Sequence, residues 1–166
     1  MEKGFVGNAL PSQGIRLDWS QAAFVVVSGS QTNPCGHALL YVGGGFGHYF
    51  HVPGIPRWYE RPFYISGPDF PRYLSTSGKR EIGRKKLNIP CPAQAEAKLR
   101  ALMEAKWAYG VLPQNCVSFV QEVAKAGGNK WDFNNWPQLE PLRFKWLEEK
   151  VAPLFRVSPE QCAVMK

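Results

Sequence analysis

Two runs of β-favouring residues flank a glycine-rich stretch in the first third of the chain. His-Ala-Leu-Leu-Tyr-Val at 37–42 and His-Tyr-Phe-His-Val at 48–52 are separated by Gly-Gly-Gly-Phe-Gly at 43–47. Glycine tolerates the backbone conformations of tight turns, so the pattern predicts a β-hairpin. The preceding run Phe-Val-Val-Val-Ser at 24–28 predicts a buried neighbouring strand. These residues therefore favour a fold built on a β-sheet.

Helical signals follow in the second half of the chain. Pro92 suits the first turn of a helix, and an apolar stripe at i, i+3 and i+4 spacing predicts that this helix runs over 92–108. A second helix is expected to begin near Cys116 and to stop at the glycine pair 127–128. A further strand is expected over 85–89, before a proline. The order of these elements predicts an α+β fold.

The remaining segments have weaker patterns. Residues 1–22 carry turn-forming residues and predict an irregular lead-in. Residues 53–71 alternate aromatic residues with prolines, which indicates a substrate-facing loop or an aromatic lid rather than an interior strand. We expect one domain over 1–166, with its core in 22–128 and an aromatic and helical extension over 129–166.

Composition and charge narrow the class of protein. Of 166 residues, 45% are apolar and 20% are charged, which predicts an ordered domain with its own core. The net charge is +7, much of it in residues 79–86, which we interpret as a solvated loop and strand edge. No nucleic-acid-binding motif accompanies the charge, so no nucleic-acid partner is expected.

The first residues also bear on where the protein acts. Residues 1–17 lack the continuous apolar core of a signal peptide, and no apolar run reaches the roughly 18 residues of a membrane span. We expect a cytoplasmic product that is exported, if at all, by a secretion system that does not read such a signal.

A cysteine stands where the second helix is expected to begin. Asn115 precedes Cys116 and can cap the helix, which would place the thiol at the positive end of the helix dipole. A thiol in that position can lose its proton near neutral pH and act as a nucleophile. The backbone at this helix start, including the Cys116 amide, could also stabilise an oxyanion.

All three histidines of the chain lie in or beside the expected hairpin. His37 opens one strand, and His48 and His51 lie on the return strand. A nucleophilic cysteine needs an imidazole that accepts its proton and later delivers it to the leaving group. Since the separation of His48 and His51 is odd, the two point to opposite faces of the sheet, and only one can share a face with His37.

The four cysteines allow two other interpretations. No pair has the spacing of a zinc ribbon or a redox motif, and a disulfide framework is unnecessary at this length. Cys35, His37, His48 and His51 have the residue types of a zinc site, but the glycine turn does little to fix a tetrahedral geometry. Cys35 is also a second candidate nucleophile, and we expect it to lie in a loop. We expect reduced thiols, no metal and no cofactor.

The histidine strand and the cysteine helix together resemble a known family. His-Ala-Leu-Leu-Tyr-Val-Gly at 37–43, a histidine on the return strand and Asn-Cys-Val-Ser-Phe-Val at 115–120 are similar to circularly permuted NlpC-like cysteine enzymes. The lecithin retinol acyltransferase-like proteins are nearest in pattern. The resemblance implies a papain-like antiparallel sheet packed against helices, with the histidine strand before the cysteine helix.

The same resemblance implies roles for individual residues. Cys116 matches the nucleophile and His37 the general base, while the third polar position falls on His51, with His48 as the alternative. Ser118 stands where the acyltransferases usually have histidine, and the chain has no apolar C-terminal anchor. The second departure weakens the lipid acyltransferase interpretation.

These residues predict a cysteine peptidase or amidase that works through a thioester. The expected substrate is a bacterial cell-wall peptide, as for a phage product or an injected antibacterial toxin, which would have an immunity or inhibitor protein as partner. A lipid-directed acyltransferase or phospholipase at an anionic lipid surface is one alternative, and a non-catalytic binding module on the same fold is another. Tyr109 and Trp58 are expected to line the cleft.

Overall fold

Five antiparallel strands form the main sheet in the computed structural model, which describes residues 4–12, 14–28, 36–54, 57, 59–108 and 115–130. The order across this sheet is β5-β3-β2-β1-β6. Its strands are β1 (Asp18–Val27), β2 (His37–Gly43), β3 (His48–His51), β5 (Phe63–Ser66) and β6 (Glu81–Lys86). A second, two-stranded sheet pairs β4 (Tyr59–Glu60) with β7 (Trp107–Ala108). The helices are α1 (Phe70–Thr76), α2 (Pro92–Glu104) and α3 (Cys116–Ala126).

The predicted α+β class and the predicted hairpin are confirmed. β2 pairs with β3 antiparallel, with Tyr41 opposite Tyr49. The turn between them closes with a hydrogen bond from the Gly47 amide to the Gly44 carbonyl, 2.8 Å long. Gly44 and Gly47 both have positive φ, at 105° and 78°, a conformation that residues with a side chain rarely adopt.

The two faces of the main sheet bury different sets of side chains. One face carries an apolar cluster to which α1 contributes Phe70 and Tyr73. Because strand residues alternate, the neighbouring residues of the same strands, such as Phe24 and Phe50, point to the other face. Both are fully buried, and α3 packs against β2 and β3. We infer that α3 covers this second face.

The helix α3 follows its predicted bounds closely. It begins at Cys116 and ends before Gly127, and its buried residues are Val117, Phe119, Val120, Val123 and Ala124. It packs against α2, where Lys98 and Glu122 form an ion pair of 2.9 Å. These contacts hold α3 against α2.

Several predicted bounds are wrong. The lead-in over 1–22 contains the start of β1, because Trp19 is buried and a register irregularity lets the strand continue past Ser20 and Gln21. The first long helix ends at Glu104, and the residues after it pair with β4 instead of extending the helix to 108.

The strand expected over 85–89 is β6, Glu81–Lys86, which lies earlier in the chain. β6 forms an edge of the sheet, which agrees with the interpretation of the basic residues 79–86 as a loop and a strand edge. Leu87 and Ile89 are buried beyond the strand's end, which accounts for the strand-like apolar pattern that suggested the later position.

The aromatic and proline-rich segment over 53–71 is more regular than expected. β5 lies within this segment. It is an edge strand of the sheet, which agrees with the prediction that the segment contains no interior strand. The last residues of the segment begin α1, and Pro71 lies in the first turn of this helix. Phe70 and Tyr73, three residues apart, are both buried. From residue 131 onwards, the predicted C-terminal extension lies outside the described residues.

Candidate active site

The start of α3 has the cap that the sequence predicts. The Asn115 side-chain oxygen accepts hydrogen bonds from the amides of Val117 and Ser118, each 3.0 Å long. The Ser118 hydroxyl lies 2.7 Å from the Asn115 amide, whose hydrogen bond it accepts, which completes a capping box. Cys116 is therefore the first residue of a well-capped helix, and its thiol is free of any disulfide and half-buried.

Of the two return-strand histidines, His51 is the one that contacts His37. His37 Nε2 lies 2.9 Å from His51 Nδ1, and the two rings meet edge to face. The pairing of Tyr41 with Tyr49 places His37 and His51 on the same face of the hairpin, as diagonal neighbours near its open end. Both side chains are buried.

The hydrogen bonds around His51 determine which nitrogens carry protons. His51 Nε2 lies 2.8 Å from the Val6 carbonyl oxygen, which can only accept, so His51 Nε2 must donate. In the neutral ring His51 Nδ1 is then an acceptor, and His37 Nε2 must donate to it. The neutral His37 ring is left with its lone pair on Nδ1, the nitrogen available to take a proton.

His48 lies in a different environment on the opposite face. Its Nδ1 is 3.0 Å from the Tyr64 hydroxyl, and its ring stacks on the Tyr64 ring at 5.8 Å. Backbone groups of Arg16 and Gly44 also hydrogen-bond to it. These partners tie the glycine turn to β5, so His48 supports the fold and does not contact the histidine pair.

The histidine pair is held in its neutral form. Burial lowers the pKa of His37 well below its ordinary value of 6.5, and the neighbouring His51 and Lys79 lower it further. Burial likewise lowers the pKa of His51 to about 4, although its backbone hydrogen bonds with Val6 and Val52 oppose the shift. A neutral imidazole keeps a lone pair that can accept a proton, which is the state a general base needs before it acts.

Lys79 is a site residue that the sequence did not single out. Val27 of β1 pairs with His37 on one side and with Glu81 on the other, so Lys79 lies at the same end of the sheet as His37. It interacts electrostatically with His37, His51 and Cys116. Burial lowers the pKa of Lys79, and a negative charge on Cys116 opposes that shift, so a thiolate at Cys116 and the Lys79 ammonium would stabilise each other.

Tyr73 of α1 completes the described surroundings of the pair. Its ring centroid lies 5.4 Å from that of His51, and its hydroxyl interacts electrostatically with Cys116. Burial raises the pKa of Tyr73 above its ordinary value, so it stays protonated. Lys79 therefore interacts electrostatically with Cys116, His37 and His51, and Tyr73 interacts with both Cys116 and the His51 ring.

Neither Tyr73, Lys79 nor the Val6 carbonyl could be recognised as a site group from the sequence. Lys79 belongs to a basic run that is typical of solvated surface, and a backbone carbonyl leaves no residue-type signal at all. The predicted cleft residues Tyr109 and Trp58, and the alternative nucleophile Cys35, lie outside the described residues.

The zinc alternative has no support in the part of the chain that the structure describes. No group of three histidine, cysteine, aspartate or glutamate side chains there could hold a metal ion. His48 lies on the opposite face from the other two histidines, which separates the proposed ligands. Among the same residues, no helix is long and apolar enough to cross a membrane.

Comparison with known proteins leaves the family open. No family model, curated protein or solved structure matches the chain.

Proposed function

We propose that this protein is a cysteine-dependent hydrolase that cleaves an amide bond through a thioester, on a papain-like fold of the circularly permuted NlpC type. The observation that carries the proposal is the His37–His51 hydrogen bond, whose protons are arranged so that His37 Nδ1 is the accepting nitrogen. The capped helix start at Cys116, near the shared neighbour Lys79, supplies the nucleophile.

The reaction begins with a proton transfer within the site. As the Cys116 sulfur attacks the carbonyl carbon of the substrate, His37 Nδ1 takes the thiol proton. His37 Nε2 keeps its hydrogen bond to His51, which stabilises the imidazolium that forms. His51 is a positioning residue in this scheme, since it orients His37 and does not touch the reacting atoms.

The tetrahedral intermediate then collapses to a thioester. We assign the backbone at the start of α3, including the Cys116 amide, as the donor to the oxyanion. The imidazolium gives its proton to the leaving nitrogen as the C–N bond breaks. Water, deprotonated by the same imidazole, next attacks the thioester, which releases the carboxylic acid and restores the thiol.

A bacterial cell-wall peptide is the substrate class we propose, in a phage product or an injected toxin. The net charge of +7 and the half-buried Lys79 favour a substrate with acidic groups. Such a toxin would have an immunity or inhibitor protein as partner.

A lipid-directed thiol acyltransferase or phospholipase is the second candidate. The sequence motifs resemble the lipid acyltransferases more closely than the peptidases. One structural observation also favours this candidate: the Phe46 side chain at the tip of the β2–β3 turn is 84% exposed. An aromatic side chain at a hairpin tip, together with basic charge, is a feature that can contact an anionic lipid surface.

Thiol alkylation separates an enzyme from a non-catalytic binding module. Cys91 and Cys116 both lie at helix N-termini and form no disulfide, but Cys91 is exposed and precedes α2. Both thiols experience a helix dipole, so a difference in their rates reports on the other groups near Cys116. Iodoacetamide at neutral pH, with mass mapping, should label Cys116 faster than Cys91.

The variants identify the base. His37→Ala should remove the advantage of Cys116 over Cys91, whereas His48→Gln should keep it. Equal labelling of the two cysteines in the wild type would contradict the proposed nucleophile and favour the binding module.

Substrate assays separate peptide from lipid chemistry. The protein is incubated with purified peptidoglycan and, separately, with vesicles of anionic phospholipid, with Cys116→Ala as the matched control. Peptide release from the first alone supports the amidase. Fatty acid release or acyl transfer from the second alone supports the lipid enzyme and rejects the peptide assignment.

A further inference from the structure

Residues 4–8, which we call the N-terminal strap, lie along the outer edge of β5. The Asn8 amide donates to the Tyr64 carbonyl over 2.7 Å, and the Tyr64 amide donates back to the Asn8 carbonyl over 2.8 Å. This is an isolated antiparallel bridge that extends the sheet by one step. The strap therefore has a defined register relative to β5.

The other end of the strap is held by α1. The Phe5 amide donates to the Thr76 hydroxyl over 3.1 Å, and the Phe5 side chain packs against the apolar cluster of the sheet. The Arg72 guanidinium lies 4.5 Å from the centre of the Phe5 ring. Val6 lies between these two anchors, so the position of its carbonyl is determined from both sides.

The Val6 carbonyl selects the tautomer of His51. If His51 carried its proton on Nδ1 instead, the lone pairs of its Nε2 and of the carbonyl oxygen would face each other across 2.8 Å. His51 Nδ1–H would then donate to His37 Nε2, and the neutral His37 would carry its own proton on Nδ1. In that state Nδ1 of His37 could not accept a thiol proton.

We propose that the N-terminal strap is a positioning element of the active site, in which the Val6 carbonyl sets the proton arrangement of His51 and, through it, makes His37 Nδ1 a base. The proposal rests on the proposed function for its consequence at Cys116. The part of the proposal that links the strap to the histidine tautomers does not depend on any reaction.

Two glycines provide a matched pair of variants. Gly7 lies in the strap with φ of +121°, and a Cβ built there would be 2.7 Å from the Tyr64 carbonyl oxygen and 3.0 Å from the Phe63 Cβ. Gly14 also has a positive φ, +89°, but a Cβ there meets nothing within 4 Å. Valine at either position strains the backbone, whereas only Gly7→Val also pushes the strap off β5.

The first measurement is the ¹⁵N shifts of the imidazole nitrogens, which distinguish the two tautomers. In the wild type and in Gly14→Val, His37 and His51 should both carry their proton on Nε2. In Gly7→Val the His51 signals should move toward a mixture of tautomers. Unchanged tautomers in a folded Gly7→Val protein would overturn the proposal, as would an equal change in Gly14→Val.

The second measurement is the alkylation rate of Cys116 in the same proteins. Loss of the correct tautomer should slow the reaction at least about tenfold in Gly7→Val, with little change in Gly14→Val. If Gly7→Val does not fold, Thr76→Val replaces it, because this change removes one anchor of the strap without adding a clash. A Thr76→Val protein with wild-type tautomers and an unchanged alkylation rate would then overturn the proposal.

Failure of the proposed function gives a different result. If wild-type Cys116 reacts no faster than Cys91 while the tautomers still respond to Gly7→Val, the strap positions the histidines but the pair is not a base for this thiol.

Discussion

The pH dependence of stability tests the buried histidine pair directly. Burial lowers the pKa of His51 from 6.5 to about 4 in the folded chain. As the pH falls below 6.5, the unfolded chain gains a proton at this residue that the folded chain does not. The stabilisation is therefore fully present above 6.5 and is lost progressively as the pH falls towards 4.

The size of the loss follows from the two pKa values of His51. Each pH unit between them is worth about 1.4 kcal/mol, so His51 alone should remove about 2 kcal/mol from the free energy of unfolding between pH 7 and pH 5. The pKa of His37 is lowered in the same direction, so it adds to the loss. Ordinary carboxylates stay mostly ionised over this range and contribute little.

Urea unfolding at pH 7, 6 and 5 measures the effect, followed by the fluorescence of the buried Trp19 and Trp107. His51→Gln is the matched variant, because glutamine cannot titrate. Its stability should be lower than that of the wild type at pH 7 but should fall less between pH 7 and pH 5. A wild-type free energy that is constant to within about 0.5 kcal/mol over this range would refute the burial of neutral histidines.

Three further predictions concern the helix cap at Asn115, the Lys79 ammonium and the buried Phe119. Asn115→Ala should lower the free energy of unfolding by about 1 kcal/mol in urea, because two amides lose their acceptor, whereas Asn115→Asp should keep most of that stability. Lys79→Met should slow alkylation of the candidate nucleophile at pH 7 several-fold, while Lys86→Met, on the exposed end of β6, should not; equal rates in the two variants would contradict a role for Lys79. Phe119→Ala should cost about 3–5 kcal/mol, and Phe46→Ala less than about 0.5 kcal/mol, since Phe119 is fully buried and Phe46 is 84% exposed.

The local parts of the site could be predicted from the sequence. The cap at Asn115 and the strand that opens with His37 depend on residues next to each other in the chain, and both have the expected form. The helix α1 was missed because prolines and aromatic residues surround it, although Pro71 is acceptable in a first turn. The early start of β1 was missed because Ser20 and Gln21 interrupt its apolar pattern.

The residues that complete the site are determined by pairings between distant parts of the chain. Alternation along a strand requires that only one of His48 and His51 share a face with His37, and the sequence favoured His51. The register of β2 and β3 and the hydrogen bonds then determined which one it is.

The sequence by itself determined the hairpin, the cap and the residue types of a thiol and an imidazole, because turns and helix caps depend on neighbouring residues. Only the tertiary structure decided that Lys79 interacts electrostatically with Cys116 and that the Val6 carbonyl hydrogen-bonds to His51. These contacts arise from the pairing of β1 with β6 and of the N-terminal strap with β5. A backbone carbonyl or a solvated lysine becomes a site group only through its position, which no residue type encodes.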